Sequence, residues 1–163
     1  MADVKKACMT SMATLPLGTT PKDQQSGTDF CKYLFTHHQD LRKYFKGTEN
    51  FTGDEVQKSD RLQKVGLALI TTVHVFVNIY DNEMVFRAFC RNLMNRHVGR
   101  GVDPSLWKAF WDIWVAFLDS HGTVLSAEQK TAWNNLGTRF NEECQQYLAK
   151  QGLPNTSNHP RIG

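Results

Sequence analysis

The 163-residue chain lacks the features of membrane and nucleic-acid-binding proteins. No stretch approaches the run of about 18 apolar residues that a membrane-spanning helix needs, and residues 1–15 contain no continuous apolar core of signal-peptide length. The formal net charge is only +3, with acidic and basic residues interleaved and no basic run. We therefore expect no association with membranes or nucleic acids.

Common enzyme motifs are absent too. The chain contains no GxSxG, P-loop, GxGxxG or HExxH sequence. Its four cysteines, Cys8, Cys31, Cys90 and Cys144, show no CxxC spacing, so neither a disulfide framework nor a zinc site is expected. Scattered cysteines of this kind are typical of reduced, buried thiols in the cytoplasm. Histidines and aromatic side chains are left as the candidates for binding chemistry.

Strand signals are missing, whereas apolar residues recur every three or four positions along most of the chain. Candidate N-caps predict helices that begin after Thr20, Thr52, Asp103 and Ser126, with Pro104 as the first helical residue after Asp103. The sequence thus predicts an all-α protein of seven or eight helices. We expect a single domain over residues 1–151, followed by a disordered tail over residues 152–163.

One predicted helix, residues 82–97, ends in a histidine. Phe86, Cys90, Leu93 and His97 share one face of it, and Gly99 follows the histidine closely. A neutral histidine binds metal through one ring nitrogen when a hydrogen bond holds the other, and the Leu93 carbonyl is a candidate acceptor. The alternative is a histidine that merely packs in the core, which is the commoner role on an apolar helix face.

The surroundings of this histidine favour a metal that a macrocycle carries. A single protein ligand holds a bare ion weakly, whereas haem needs one axial ligand together with aromatic and branched aliphatic cover. The chain has ten Phe, four Trp and four Tyr residues to provide such cover. Arg96 and Arg100 flank His97 and suit the haem propionates, although their ordinary role is that of solvated charges.

Two glycines, Gly27 and Gly66, fall inside predicted helices. A glycine in a helix interior costs about 1 kcal/mol relative to alanine, so each position calls for a structural reason. Close approach of another backbone is one such reason.

Five segments, in order and at fitting separations, resemble the globins, and in particular the nematode globins. They are FTHHQDLRKYFKG (residues 35–47), KVGLALITTVH (64–74), RNLMNRH (91–97), VDPSLWKAFW (102–111) and TAWNNLGTRFNEE (131–143). The resemblance covers roughly residues 25–150. It implies a globin fold of seven to eight helices around one haem pocket, with Gly27 and Gly66 at the crossing of two helices.

The resemblance also implies the site. His97 is the expected proximal ligand of haem b, iron protoporphyrin IX, and ferrous iron is expected to be five-coordinate. Lys64 and Cys31 are the alternative sixth ligands. The residues expected to contact the haem or its propionates are Cys31, Phe45, Val65, Leu69, Leu93, Arg96, Arg100, Val102, Trp107 and Phe110.

The chain departs from the nematode globins at two positions on the distal side. Those proteins often carry tyrosine where Cys31 stands and glutamine where Val65 stands. A thiol is a weak hydrogen-bond donor and valine is none, so the tight oxygen binding of that lineage is not expected here.

The function implied is reversible binding of oxygen and other diatomic gases for storage or transport, without enzyme activity. We expect a cytoplasmic monomer or homodimer. The alternatives are a redox or nitric-oxide-reactive globin, acting in electron transfer or dioxygenase-like chemistry, and a gas or redox sensor that acts through a partner.

Overall fold

A computed structural model describes residues 2–122 and 124–158. These residues form seven α-helices and one 3-10 helix and contain no β-strand, so the all-α prediction is confirmed. The elements are α1 (Ala2–Ser11), α2 (Pro21–His37), the 3-10 helix η1 (Gln39–Tyr44), α3 (Gly53–Lys58), α4 (Asp60–Ile79), α5 (Glu83–His97), α6 (Leu106–His121) and α7 (Ala127–Lys150). The chain divides into two compact units, Met12–Val75 and Met1–Ser11 with Phe76–Gly163.

Three of the four predicted helix starts are confirmed. Thr20, Thr52 and Ser126 are N-caps whose side chains accept a hydrogen bond from the third helical residue, which returns one in a capping box. The start predicted at Asp103 is wrong. The Asp103 carboxylate accepts from the Ser105 amide at 2.9 Å and so stabilises a turn, and α6 begins only at Leu106.

In the unit Met12–Val75, α2 and α4 cross at the two glycines, as the sequence predicted. A Cβ atom on Gly66 would lie 2.0 Å from the Gly27 carbonyl oxygen, and one on Gly27 would lie 2.6 Å from the Leu67 amide nitrogen. Only glycine permits such an approach of two backbones. Since both obstructing atoms belong to the backbone, the crossing fixes α4 against α2.

By length and composition, α4 is the one helix in the described part of the chain that could cross a membrane. A single helix of this kind is weak evidence, because the core helix of a soluble protein passes the same test. Here Leu62, Ile70 and Val73 form a buried face of α4.

In the other unit, α7 packs against α1, α5 and α6. Gly137 allows α7 to approach α6, since a Cβ atom there would lie 2.7 Å from Cγ of Trp111. The Trp133 indole nitrogen donates to Ser11 Oγ at 2.8 Å and ties α7 to α1. The core of this unit is strongly aromatic, and its buried rings include Phe76, Phe86, Trp111, Trp114, Phe117, Trp133 and Phe140.

The predicted disordered tail, residues 152–163, lies within the described residues only as far as residue 158. Residues 156–158 form a turn, in which the Thr156 amide donates to the side-chain oxygen of Gln145 on α7 at 3.0 Å. Asn155 is buried and accepts from the Ser157 amide at 3.0 Å. This part of the tail thus has a hydrogen bond to α7, the disorder of the tail stays a prediction, and residues 159–163 fall outside the described residues.

Candidate functional site

His97 is the last residue of α5, and its hydrogen bond defines which ring nitrogen carries the proton. Nδ1 donates to the Leu93 carbonyl at 2.8 Å, as predicted, so Nδ1 carries the proton and Nε2 of the neutral ring has a free lone pair. Burial is the main cause that lowers the pKa of His97, the positive charges of Arg100 and Arg96 lower it further, and the hydrogen bond to Leu93 acts in the opposite direction. The ring is therefore neutral at pH 7 and suited to bind a metal.

The aromatic neighbour of His97 is Trp107, one residue into the first turn of α6. The two ring centroids lie 5.2 Å apart with an interplanar angle of 85°, an edge-to-face arrangement. Phe110, one turn further along α6, stacks on Trp114 at 6.5 Å. The predicted apolar residues of this unit, Leu93, Val102, Trp107 and Phe110, are all half-buried.

Arg96 and Arg100 are exposed at either side of His97. Both contribute positive charge near the histidine, since each lowers its pKa. Their position beside the apolar residues suits the carboxylates of an apolar ligand, because a solvent-exposed guanidinium binds a carboxylate without a large desolvation cost.

In the unit Met12–Val75, Cys31 behaves differently from the other predicted residues. It is fully buried, and its thiol donates to the Leu62 carbonyl on α4 at 3.2 Å. Burial raises the pKa of Cys31 to about 12, although a hydrogen bond with the Gly66 backbone opposes the shift. The thiol is thus protonated at neutral pH, and its proton is directed at the backbone of the helix crossing.

The other predicted residues of this unit, Phe45, Val65 and Leu69, are half-buried. Phe45 follows η1 and meets Phe35 edge-to-face, with centroids 5.4 Å apart. Val65 immediately precedes Gly66, and Leu69 follows one turn later on α4. Neither side chain has a hydrogen-bond donor.

The one histidine of α4, His74, has a structural partner. Its Nε2 lies 2.7 Å from the Leu15 carbonyl, so the ring joins α4 to the segment before α2.

Sequence reasoning missed two polar side chains of α7 that hold neighbouring elements. Glu143 is buried and accepts from Arg87 at 3.0 Å and from Arg91 at 2.8 Å on α5. Gln145 donates to the Pro104 carbonyl at 2.8 Å in the turn before α6. A carboxylate on the apolar stripe of α7 was the available signal for Glu143, whereas nothing near Gln145 in the sequence indicates its partner.

The predicted phenylalanine, tryptophan, leucine and valine side chains are half-buried in each unit taken by itself, unlike the buried cores. Half-buried apolar side chains of this kind are available to cover an apolar ligand. The unprotonated Nε2 of His97 is a candidate for the one axial ligand that haem requires.

Comparison with known proteins identifies the family. The globin family model matches residues 28–144. The chain belongs to the globin family. This globin is similar to the myoglobin of Nippostrongylus brasiliensis, with 60% identity over 94% of the chain and 99% of that protein. It is 55% identical to the cuticular globin isoform of the same organism, over 94% of the chain and 88% of that protein.

A solved structure supports the same family assignment. The globin-like protein of C. elegans superposes with a TM-score of 0.92 and 38% identity, over 94% of this chain and 97% of that one. The predicted globin fold is therefore confirmed. Haem binding and the binding of diatomic gases such as oxygen are properties of this family.

Proposed function

We propose that this globin binds one haem b through Nε2 of His97 and reversibly binds oxygen for storage or transport. The supporting observation is the hydrogen bond from Nδ1 of His97 to the Leu93 carbonyl, which leaves Nε2 unprotonated. The haem iron supplies the gas-binding position, and the chain supplies the axial nitrogen and the apolar cover. In this proposal two sets of residues provide that cover: Leu93, Val102, Trp107 and Phe110, and Cys31, Phe45, Val65 and Leu69. Arg96 and Arg100 bind the propionates.

The visible spectrum of the purified protein tests the proposal most directly. Ferrous protein should be five-coordinate and high-spin, because Val65 offers no ligand and the thiol of Cys31 is protonated and engaged with Leu62. A deoxy spectrum with sharp, split low-spin bands would instead indicate a sixth ligand, with Lys64 the next candidate.

Substitution of His97 tests the ligand itself. His97→Gly should lose stable haem and regain it when free imidazole is added. His37→Ala is the matched control, because His37 is an exposed histidine that contacts Tyr33 with centroids 4.5 Å apart. If His97→Gly keeps full haem occupancy and an unchanged spectrum without imidazole, the ligand assignment is wrong.

A redox or nitric-oxide-reactive role is the second candidate. It is favoured because Val65 has no hydrogen-bond donor and the thiol proton of Cys31 is already donated to the Leu62 carbonyl. Oxygen held without a hydrogen bond is poorly protected against electron transfer out of the complex. Stable cycles of oxygenation and deoxygenation support the carrier. Repeated consumption of nitric oxide in the presence of a reductant supports the enzyme-like role.

The cytoplasm is the proposed compartment, with a monomer or homodimer as the proposed assembly. The similarity to a cuticular isoform makes the cuticle the compartment to compare against. Immunolocalisation decides between the two compartments, and light scattering of the purified protein gives the assembly.

A further inference from the structure

The imidazole of His97 is held on two sides. Its Nδ1–H donates to the Leu93 carbonyl at 2.8 Å, and its ring meets the indole of Trp107 edge-to-face at 5.2 Å. The torsion that turns a histidine ring is broad and roughly two-fold, so rotamer preference alone does not fix the ring plane. A single hydrogen bond also tolerates a range of angles at the carbonyl. The second contact is therefore what narrows the rotation of the ring.

Trp107 is itself held in place. It lies in the first turn of α6, and its indole packs near Phe140 of α7, with centroids 6.5 Å apart. The turn before it is fixed from α7 as well, since the side-chain amide of Gln145 donates to the Pro104 carbonyl at 2.8 Å. Helix α7 thus supports Trp107 at two points. Phe140 packs near its indole, and Gln145 holds the backbone of the turn that precedes it.

We propose that Trp107 is a positioning residue, whose indole sets the rotation of the His97 ring and thereby the direction in which Nε2 points. The inference rests on the proposed function, in which Nε2 of His97 binds the haem iron. An edge-to-face pair is the favoured arrangement of two aromatic rings, so the contact stabilises one ring plane over the others. Leu93 sets which nitrogen is free, and Trp107 sets where it points.

The experiment is resonance Raman spectroscopy of the haem-loaded ferrous protein, which reports the iron–histidine stretching band. Trp107→Leu removes the ring and should shift and broaden this band, because several ring rotations become populated. Trp107→Phe keeps an aromatic ring at the same position and should restore most of the position and width. Gln145→Leu changes neither ring but removes the donor to the Pro104 carbonyl, so it should shift and broaden the band by a smaller amount.

Phe117→Leu is the control for general loss of packing in α6. Phe117 is a buried aromatic residue in the second half of α6, and its ring lies 5.8 Å from that of Trp114 and 5.0 Å from that of His121. Its substitution should leave the band unchanged. If Phe117→Leu shifts the band as much as Trp107→Leu does, the effect is general packing and the proposal is overturned.

The outcomes separate this inference from the proposed function. A wild-type protein without an iron–histidine band, or with a band that survives His97→Gly, refutes the ligand assignment itself. A band that depends on His97 but is identical in position and width in Trp107→Leu overturns only the positioning role. If Trp107→Leu does not retain haem, Gln145→Leu decides, because it leaves both rings in place, and a band identical to that of wild type there overturns the positioning role equally.

Discussion

Installing a hydrogen-bond donor at Val65 should slow the release of oxygen far more than the release of carbon monoxide. Oxygen draws electron density from ferrous iron when it binds, so a donor directed at it stabilises partial negative charge. Carbon monoxide acquires much less charge and gains little from a donor. Val65 has no donor, and the Cys31 thiol already donates to the Leu62 carbonyl at 3.2 Å.

A hydrogen bond to a charged group contributes about 1.5–3 kcal/mol. Because about 1.4 kcal/mol corresponds to a tenfold change in an equilibrium constant, Val65→Gln should slow oxygen release by roughly tenfold to a hundredfold. Cys31→Tyr should act in the same direction. The result of Cys31→Tyr is harder to interpret, because Cys31 is fully buried and a tyrosine there has to displace its neighbours.

Stopped-flow replacement of oxygen by carbon monoxide, and flash photolysis for the carbon monoxide rates, measure both ligands on the same proteins. Val65→Leu is the matched control, because it changes bulk at the same position without adding a donor. Cys31→Ser is the second control, since a hydroxyl there can keep the hydrogen bond to Leu62. If wild type already releases oxygen very slowly and Val65→Gln is no slower, the site has another donor and our reasoning is refuted.

Three further predictions concern stability. Gly66→Ala should destabilise the protein by about 1–3 kcal/mol or more, because its Cβ would meet the Gly27 carbonyl; urea unfolding should show no such loss for Gly53→Ala, whose Cβ would meet nothing within 4 Å. Haem should raise the thermal unfolding midpoint. When free haem is a hundred times its dissociation constant, it adds about 2.7 kcal/mol to the free energy of unfolding. Equal midpoints of the apo and holo proteins would contradict a buried haem. Folding lowers the pKa of His97 from 6.5, so the folded apoprotein disfavours the protonated ring. The contribution of the neutral ring to the free energy of unfolding is therefore fully present above pH 6.5 and declines as the pH falls towards the folded pKa. Unfolding curves at several pH values should show this component in wild type and not in His97→Gln.

Local chemistry made much of the fold predictable. The capping box of Thr52 and Glu55 is complete within four residues, so its sequence signature specifies its structure. The two mid-helix glycines were predictable for a similar reason, since the cost of glycine in a helix needs compensation and a backbone crossing supplies it. The free nitrogen of His97 followed from the spacing of Leu93 and His97 on one helix.

Features decided by partners distant in sequence were not predictable. Asp103 and Pro104 have the signature of a helix start, yet the Asp103 carboxylate stabilises a turn and Gln145, 41 residues away from Pro104, holds its carbonyl. Glu143 is stable in a buried position because Arg87 and Arg91 reach it from α5. Helical periodicity says which face a residue occupies but not which group on another helix it meets.

Hydrogen-bond partners also decide the chemistry of His97 and Cys31, two of the side chains that could coordinate iron, because in each case a backbone carbonyl accepts the proton. A metal needs an unprotonated donor atom. The Leu93 carbonyl takes the proton of His97 Nδ1, and this leaves Nε2 as a neutral base. The Leu62 carbonyl accepts from the only proton of Cys31, whose sulfur would become a good ligand only as a thiolate. With the pKa of Cys31 at about 12, ligation would require loss of that proton in a buried position and loss of the hydrogen bond to α4. The residue types at 31 and 97 both permit ligation, but their hydrogen bonds favour only the histidine.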